Sequence, residues 1–183
     1  MRIAVYCSAR QNIAVEYQEA ASAVGHSIGA GGHTLIYGGL SLGLMDIVSR
    51  ATKKAGGRII GIVPVSRTGL TSDINDETIQ VADLNERKAR MITLSDAFIA
   101  LPGGYGTLDE LMSTLAFLKF TSNDTKPVIV VNTGGLFDPM LQQLRHMEAL
   151  GLTDKSILKR IHVADNADEC CRMLHEAATA PQK

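Results

Sequence analysis

Little in this chain marks a special class of protein. Cysteine occurs three times, as Cys7, Cys170 and Cys171. That number is odd and the spacing fits no disulfide framework, so the three read as reduced thiols of a cytoplasmic protein. No CxxC or paired-histidine spacing offers a metal site, and no metal is expected. The five histidines are scattered and have no partner residue to give them a role. No apolar run reaches membrane-spanning length. Met1 leads straight into the strand-like "RIAVYC", so no signal peptide is expected. Eighteen Lys and Arg against nineteen Asp and Glu leave a net charge of -1, with no basic cluster. That argues against a nucleic-acid partner held by bulk charge. There is no GxxxxGK[ST] and no GxGxxG after the first strand. Neither a P-loop nucleotidase nor an ordinary dinucleotide site is supported.

What is there is an orderly alternation of short apolar runs and helical patterns. The 183 residues suit one domain, expected over 1–178, with a frayed tail at 179–183. Strands are expected at 3–7, 33–39, 58–64, 78–82, 96–102, 126–132 and 161–164. Helices are expected at 12–30, 42–57, 83–95, 107–120, 138–149 and about 166–177, with a polar loop over 65–77. Runs apolar on both faces imply a sheet buried on both sides. Regular β-α alternation then implies a doubly wound parallel sheet in a three-layer α-β-α sandwich.

Ligands of such sheets sit beyond the carboxyl ends of the strands. Three strand ends are unusual: "YCSAR", "YGGLSLGLM" and "LPGGYGTLDEL". Two of them are rich in glycine and run directly into helices. Bare backbone at a helix N-terminus is a cradle for an anion such as phosphate. Tight strand-helix turns are the rival explanation. Thr107 to Glu110 reads as a capping box, with Thr107 as N-cap and Glu110 at N3, and Asp83 to Glu86 reads as another. The second makes Glu86 structural. Glu110 stands beside the presumed cradle, where the first turn of a helix should keep it ionised, a base rather than an acid. Arg87 lies in the first turn of its helix, on the glycine side of the sheet, and a guanidinium suits phosphate. By spacing, Lys88 and Arg90 point elsewhere round that helix.

"ERKARM" followed by "PGGYGTLDE" resembles the LONELY GUY family of phosphoribohydrolases, which are often mislabelled lysine decarboxylases. "YGGLSLGLM", "GRIIGIVP" and "KPVIVVNTGGLFDPML" resemble further family blocks in the same order. The resemblance implies a Rossmann-like homodimer that needs no cofactor. It also implies cleavage of an adenine nucleoside 5′-monophosphate, plain or N6-prenylated, to free base and ribose 5-phosphate. It makes Arg87 and Glu110 catalytic. It carries substrate contacts onto Gly103, Gly104, Gly106 and Thr107, and onto Lys88, Asn85, Ser8, Gly38, Gly39, Gly43 and Met45. A decarboxylase would need a Schiff-base lysine for pyridoxal phosphate, for which Lys88 is the nearest candidate. The chain also departs from the family. Cys7-Ser8-Ala9-Arg10 replaces CGSS. Leu40 and Asp46 stand where glycines are usual. The helix after Glu110 has Leu115, Ala116 and Phe117 in place of a threonine and tryptophan. Molybdenum-cofactor carriers share the fold and similar loops, so a non-catalytic binder is the alternative, and a regulatory nucleotide sensor is a third reading.

Overall fold

A computed structural model gives the protein's structure, describing residues 1–121, 126–153 and 155–179. Seven strands form one sheet: β1 (Arg2–Tyr6), β2 (Thr34–Tyr37), β3 (Arg58–Pro64), β4 (Glu77–Val81), β5 (Ala97–Ala100), β6 (Val128–Val131) and β7 (Ile161–Ala164). Their order is β4-β3-β2-β1-β5-β6-β7 and every pairing is parallel. Parallel strands need crossovers, and helices supply all but the one from β3 to β4: α1 (Val15–Ala30), α2 (Gly43–Lys54), α3 (Leu84–Leu94), α4 (Tyr105–Phe120), α5 (Asp138–Ala149) and α6 (Lys155–Arg160), with α7 (Ala167–Thr179) following the last strand. The doubly wound α/β expectation is met.

The alternation inside β1 shows why both faces are buried. Ile3 and Val5 join a core with Ala21, Val24 and Ile28 of α1, Val48 of α2 and Leu174 of α7. Ala4 and Tyr6 join the opposite core with Met91 of α3, Leu111 and Leu115 of α4 and Leu141 of α5. Successive side chains of a strand point to opposite faces, so a single five-residue run serves two layers. Close contact between α1 and α2 depends on Gly25. A Cβ there would lie 2.4 Å from the Val48 carbonyl oxygen, and alanine would force the helices apart.

Some boundaries differ from expectation. Asn12 has φ 58°, which no right-handed helix admits, and α1 starts only at Val15. The polar loop opens with a short 3-10 turn, Val65–Leu70. Helix α6 was not foreseen. Helix α7 includes Thr179, the first residue of the stretch expected to fray. Residues 180–183 lie outside the described residues.

Strand order places β2, β3 and β4 on one side of β1 and β5, β6 and β7 on the other. The winding reverses between β1 and β5. A crevice opens at such a switch point, beyond the carboxyl ends of the two strands.

Candidate active site

Ser8, just past β1, ties the crevice together. Its N–H donates to the Pro102 carbonyl at 3.1 Å, and its carbonyl accepts from the Leu44 N–H at 2.9 Å. One residue therefore touches both glycine-rich turns, the one entering α2 and the one entering α4.

The turn into α2 is filled. Gly39 has its carbonyl taken by the Ser72 N–H at 2.8 Å and by the Asn75 amide at 3.2 Å. Gly43 has φ 51°, and a Cβ there would meet the Arg10 carbonyl oxygen at 2.5 Å. At Gly38 a Cβ would lie 1.9 Å from a guanidinium nitrogen of Arg87 and 2.7 Å from the Met45 sulfur. These three glycines make room for protein atoms.

The turn into α4 is open. Helix α4 begins at Tyr105 with Gly104 as N-cap, and no side chain caps it. The expected capping box is not formed: Thr107 is the third residue of the helix and Glu110 the sixth, beyond its first turn. Gly103 is bare because a Cβ would lie 2.0 Å from the Thr107 hydroxyl, but a Cβ on Gly104 or Gly106 would meet nothing within 4 Å. Neither needs a positive φ. The fold does not ask for glycine at either position. At Asp83 the cap does form, with the return bond of Glu86 shifted one residue, from the N-cap to Ala82. Asp83 accepts from the N–H groups of Asn85 and Glu86, and Glu86 accepts from Ala82 at 2.8 Å.

That cap fixes the start of α3 and so aims Arg87. Its Nε donates to the Ile62 carbonyl at 3.2 Å, and its Nη1 lies 3.4 Å from Glu110 Oε1. The side chains are only 16% and 11% exposed, so the pair is largely shielded from water. Burial pushes the Glu110 carboxyl up to about 7, against the pull of Arg87. This corrects the expectation of a carboxylate held ionised by a helix end. Asp109 pushes the same way as burial, and Lys88 the other. Lys88 does not point away: its ammonium reaches both Asp109 oxygens at 2.8 Å and lines the crevice. The Cys7 thiol is pushed up by burial and then by Glu110, which leaves it protonated and a poor nucleophile.

The crevice encloses about 280 Å³. Of the residues expected at a site, Ser8, Met45, Arg87, Lys88, Gly104, Gly106, Thr107 and Glu110 line it. Gly38, Gly39, Gly43 and Gly103 stand behind that lining. Asn85 is exposed at the start of α3 and does not reach it. Sequence reading missed Cys7, Ala9, Arg10, Leu84, Tyr105 and Asp109 as lining residues. Cys7 to Arg10 had a signal, since "YCSAR" is an unusual strand end. Leu115 is buried in the core, Phe117 packs against that core and Ala116 is exposed, and none of the three lines this crevice.

Comparison with known proteins gives three kinds of match. The family described as "Possible lysine decarboxylase" matches residues 45–174. Cytokinin riboside 5'-monophosphate phosphoribohydrolase LOG3 of Arabidopsis thaliana is 36% identical over 186 residues, covering 100% of this chain and 85% of that protein. The chain belongs to the LONELY GUY family. LOG4 of the same plant, which carries the same enzyme name, is 36% identical over 96% of this chain and 82% of its own length. Among solved structures, the molybdenum cofactor binding protein of Rippkaea orientalis superposes with a TM-score of 0.75 and 28% identity, covering 97% of both chains. The molybdenum cofactor carrier protein of Chlamydomonas reinhardtii, at TM-score 0.77 and 23% identity over 98% of both chains, shares the fold. In this LONELY GUY member Arg87 and Glu110, from two different helices, are in direct contact.

Proposed function

We propose that this protein is a phosphoribohydrolase. It cuts the N-glycosidic bond of an adenine nucleoside 5′-monophosphate, plain or N6-prenylated, releasing free base and ribose 5-phosphate. The observation that carries the reading is the buried Arg87–Glu110 pair beside an uncapped helix end whose glycines face empty space. The enzyme names of the 36% identical relatives support it.

Each part has a task in that reaction. The open turn at Gly104 and Gly106 takes the 5′-phosphate on bare N–H groups, helped by the helix dipole. Thr107 lines the same turn. Glycosidic cleavage develops positive charge on the ribose. Ionised Glu110 stabilises that charge and takes a proton from the attacking water. A carboxyl that titrates near 7 suits this work, because proton transfer is most effective when pKa lies near working pH. Arg87 holds Glu110 and the phosphoribosyl group in register. Lys88 is engaged as an ammonium by Asp109, which is the wrong state for the free amine of a decarboxylase.

The chain also works, on this reading, as a homodimer in the cytoplasm. Tyr105 and Phe120, at opposite ends of α4, are each 88% exposed and Leu84, at the start of α3, is 61% exposed, apolar side chains that a second copy would cover. Free cysteines fit a reducing compartment. Among the described residues, no helix is long and apolar enough to cross a membrane.

Likeness to the Rippkaea orientalis protein favours a second reading, a non-catalytic binder of a nucleotide or of molybdenum cofactor. It is weaker because it gives buried Glu110 no task. Incubation with AMP, isopentenyladenosine monophosphate and adenosine, followed by chromatography of the free base, separates the two. Base is expected from the monophosphates and not from adenosine, since remote phosphate binding is used at the reacting bond. Binding without product supports the binder, and equal rates on AMP and adenosine reject the role given to the phosphate turn.

A further inference from the structure

We infer that Arg10 is a specificity-determining residue that binds the 5′-phosphate of the substrate. The inference rests on the phosphoribohydrolase reading and adds to it a contact from a different element. Three cationic side chains line the crevice: Arg10, Arg87 and Lys88. Arg87 is engaged by Glu110 and the Ile62 carbonyl, and Lys88 by Asp109. Arg10 alone of the three has no side-chain hydrogen bond or ion pair among the described residues; only its backbone N–H is bonded, to the Ser8 hydroxyl at 3.1 Å.

Its main chain is nevertheless held. Beyond the bond to Ser8, the Arg10 carbonyl packs against Gly43, where an added Cβ would lie 2.5 Å from its oxygen. Asn12, in the left-handed region, then turns the chain toward α1. Ser8 in turn is bonded to Pro102, at the entrance of the open α4 turn. A fixed backbone thus carries an unneutralised guanidinium beside an uncapped helix end, in the same crevice as Gly104, Gly106 and Thr107. A planar fork of donors matches phosphate oxygens better than it matches a neutral base or sugar hydroxyls. A second charge there favours a dianionic phosphate over an uncharged nucleoside.

The test is calorimetric binding of AMP and of ribose 5-phosphate to wild type, Arg10→Ala and Arg10→Lys, beside steady-state release of base from AMP. Arg10 is exposed, so thermal melts of the variants are expected to match wild type. Arg10→Ala is expected to weaken both ligands by about tenfold, the loss of one charge-assisted phosphate contact. KM for AMP rises by a similar factor while kcat changes less than about threefold, and Arg10→Lys falls between the two. AMP binding within about twofold of wild type in Arg10→Ala overturns the inference, as does weakened AMP with unchanged ribose 5-phosphate, which would move Arg10 to the base. If wild type binds AMP but releases no base, the phosphoribohydrolase reading falls and the two binding constants still decide Arg10. If wild type binds neither ligand, both fall.

Discussion

Two glycine-rich turns in this molecule look alike in sequence and answer to different demands. Into α2 run Gly38, Gly39 and Gly43; into α4 run Gly103, Gly104 and Gly106. At the first, every glycine is surrounded. A Cβ would strike Arg87, Val63 or the Arg10 carbonyl, each at 2.5 Å or less. At the second, two of the three glycines face open space. A glycine that packing requires says nothing about a ligand. A glycine with no neighbour, ordinary φ and a position at an uncapped helix end is costly in the folded chain and gains nothing for the fold. The contrast separates a turn that shapes the site from a turn that offers itself to a substrate.

The largest expected effect comes from the residue that the open turn leads to. Glu110→Gln keeps size and removes the ionisable group. Turnover is expected to fall by about a hundredfold or more, while AMP affinity changes little because the phosphate contacts lie elsewhere. Product release by the purified variant, beside a binding isotherm, checks this. Near-wild-type turnover would take the chemistry away from the α4 turn and erase the functional half of the comparison.

The turns themselves can be set against each other by one methyl group. Gly43→Ala adds a Cβ to backbone at 2.5 Å and holds alanine at φ 51°. The cost is on the order of 2–4 kcal/mol of stability. Gly106→Ala adds the same atom to empty space on a helical residue. It is expected to stabilise the fold by roughly 0.5–1 kcal/mol and to raise KM for AMP, since the methyl occupies the substrate's approach. Chemical denaturation and steady-state kinetics on the two variants read both effects. A Gly106→Ala protein that is destabilised, or that keeps its KM, would make the turns equivalent after all.

Sequence resolved the layers well because period and length carry that signal. β7 was read at its observed limits, and the crevice could be placed from strand ends alone. The two glycine turns could not be told apart, since each φ and each near neighbour is set by chain segments far away in sequence: Arg10 against Gly43, Arg87 against Gly38. Glu110 shows the same limit. T-x-x-E has the spacing of a capping box, but α4 has Gly104 as its N-cap, three residues before the Thr107 that the box requires. Once the helix is extended backward, Glu110 rotates from an exposed cap to a buried face. No local pattern reports that burial. Lys88 was misjudged for a related reason, because its partner Asp109 belongs to another helix.

The pH dependence is the most direct reading of that burial. The Glu110 carboxyl titrates at about 7 in the folded protein against 4.5 for the free side chain. The folded state therefore binds a proton that the unfolded chain has already lost. For an acid raised in this way, the stabilising contribution is full below about pH 4.5 and disappears as pH rises through 7. Glu110→Gln stays neutral at every pH. Its melting temperature should match wild type near pH 4.5 and exceed it at pH 8, with the gap opening between those values. Activity moves in the opposite sense, because the ionised form stabilises the ribosyl cation. In wild type kcat/KM should climb with pH through about 7. Asp109 adds to the upward push on Glu110, and Lys88, freed from Asp109, would pull down. Asp109→Asn should thus move this limb to lower pH, with Glu110 itself unaltered. A pH-independent melting difference for Glu110→Gln, with a rate limb that Asp109→Asn leaves in place, would mean that Glu110 is hydrated. The open turn would then end in an exposed carboxylate, as the capping-box spacing suggests.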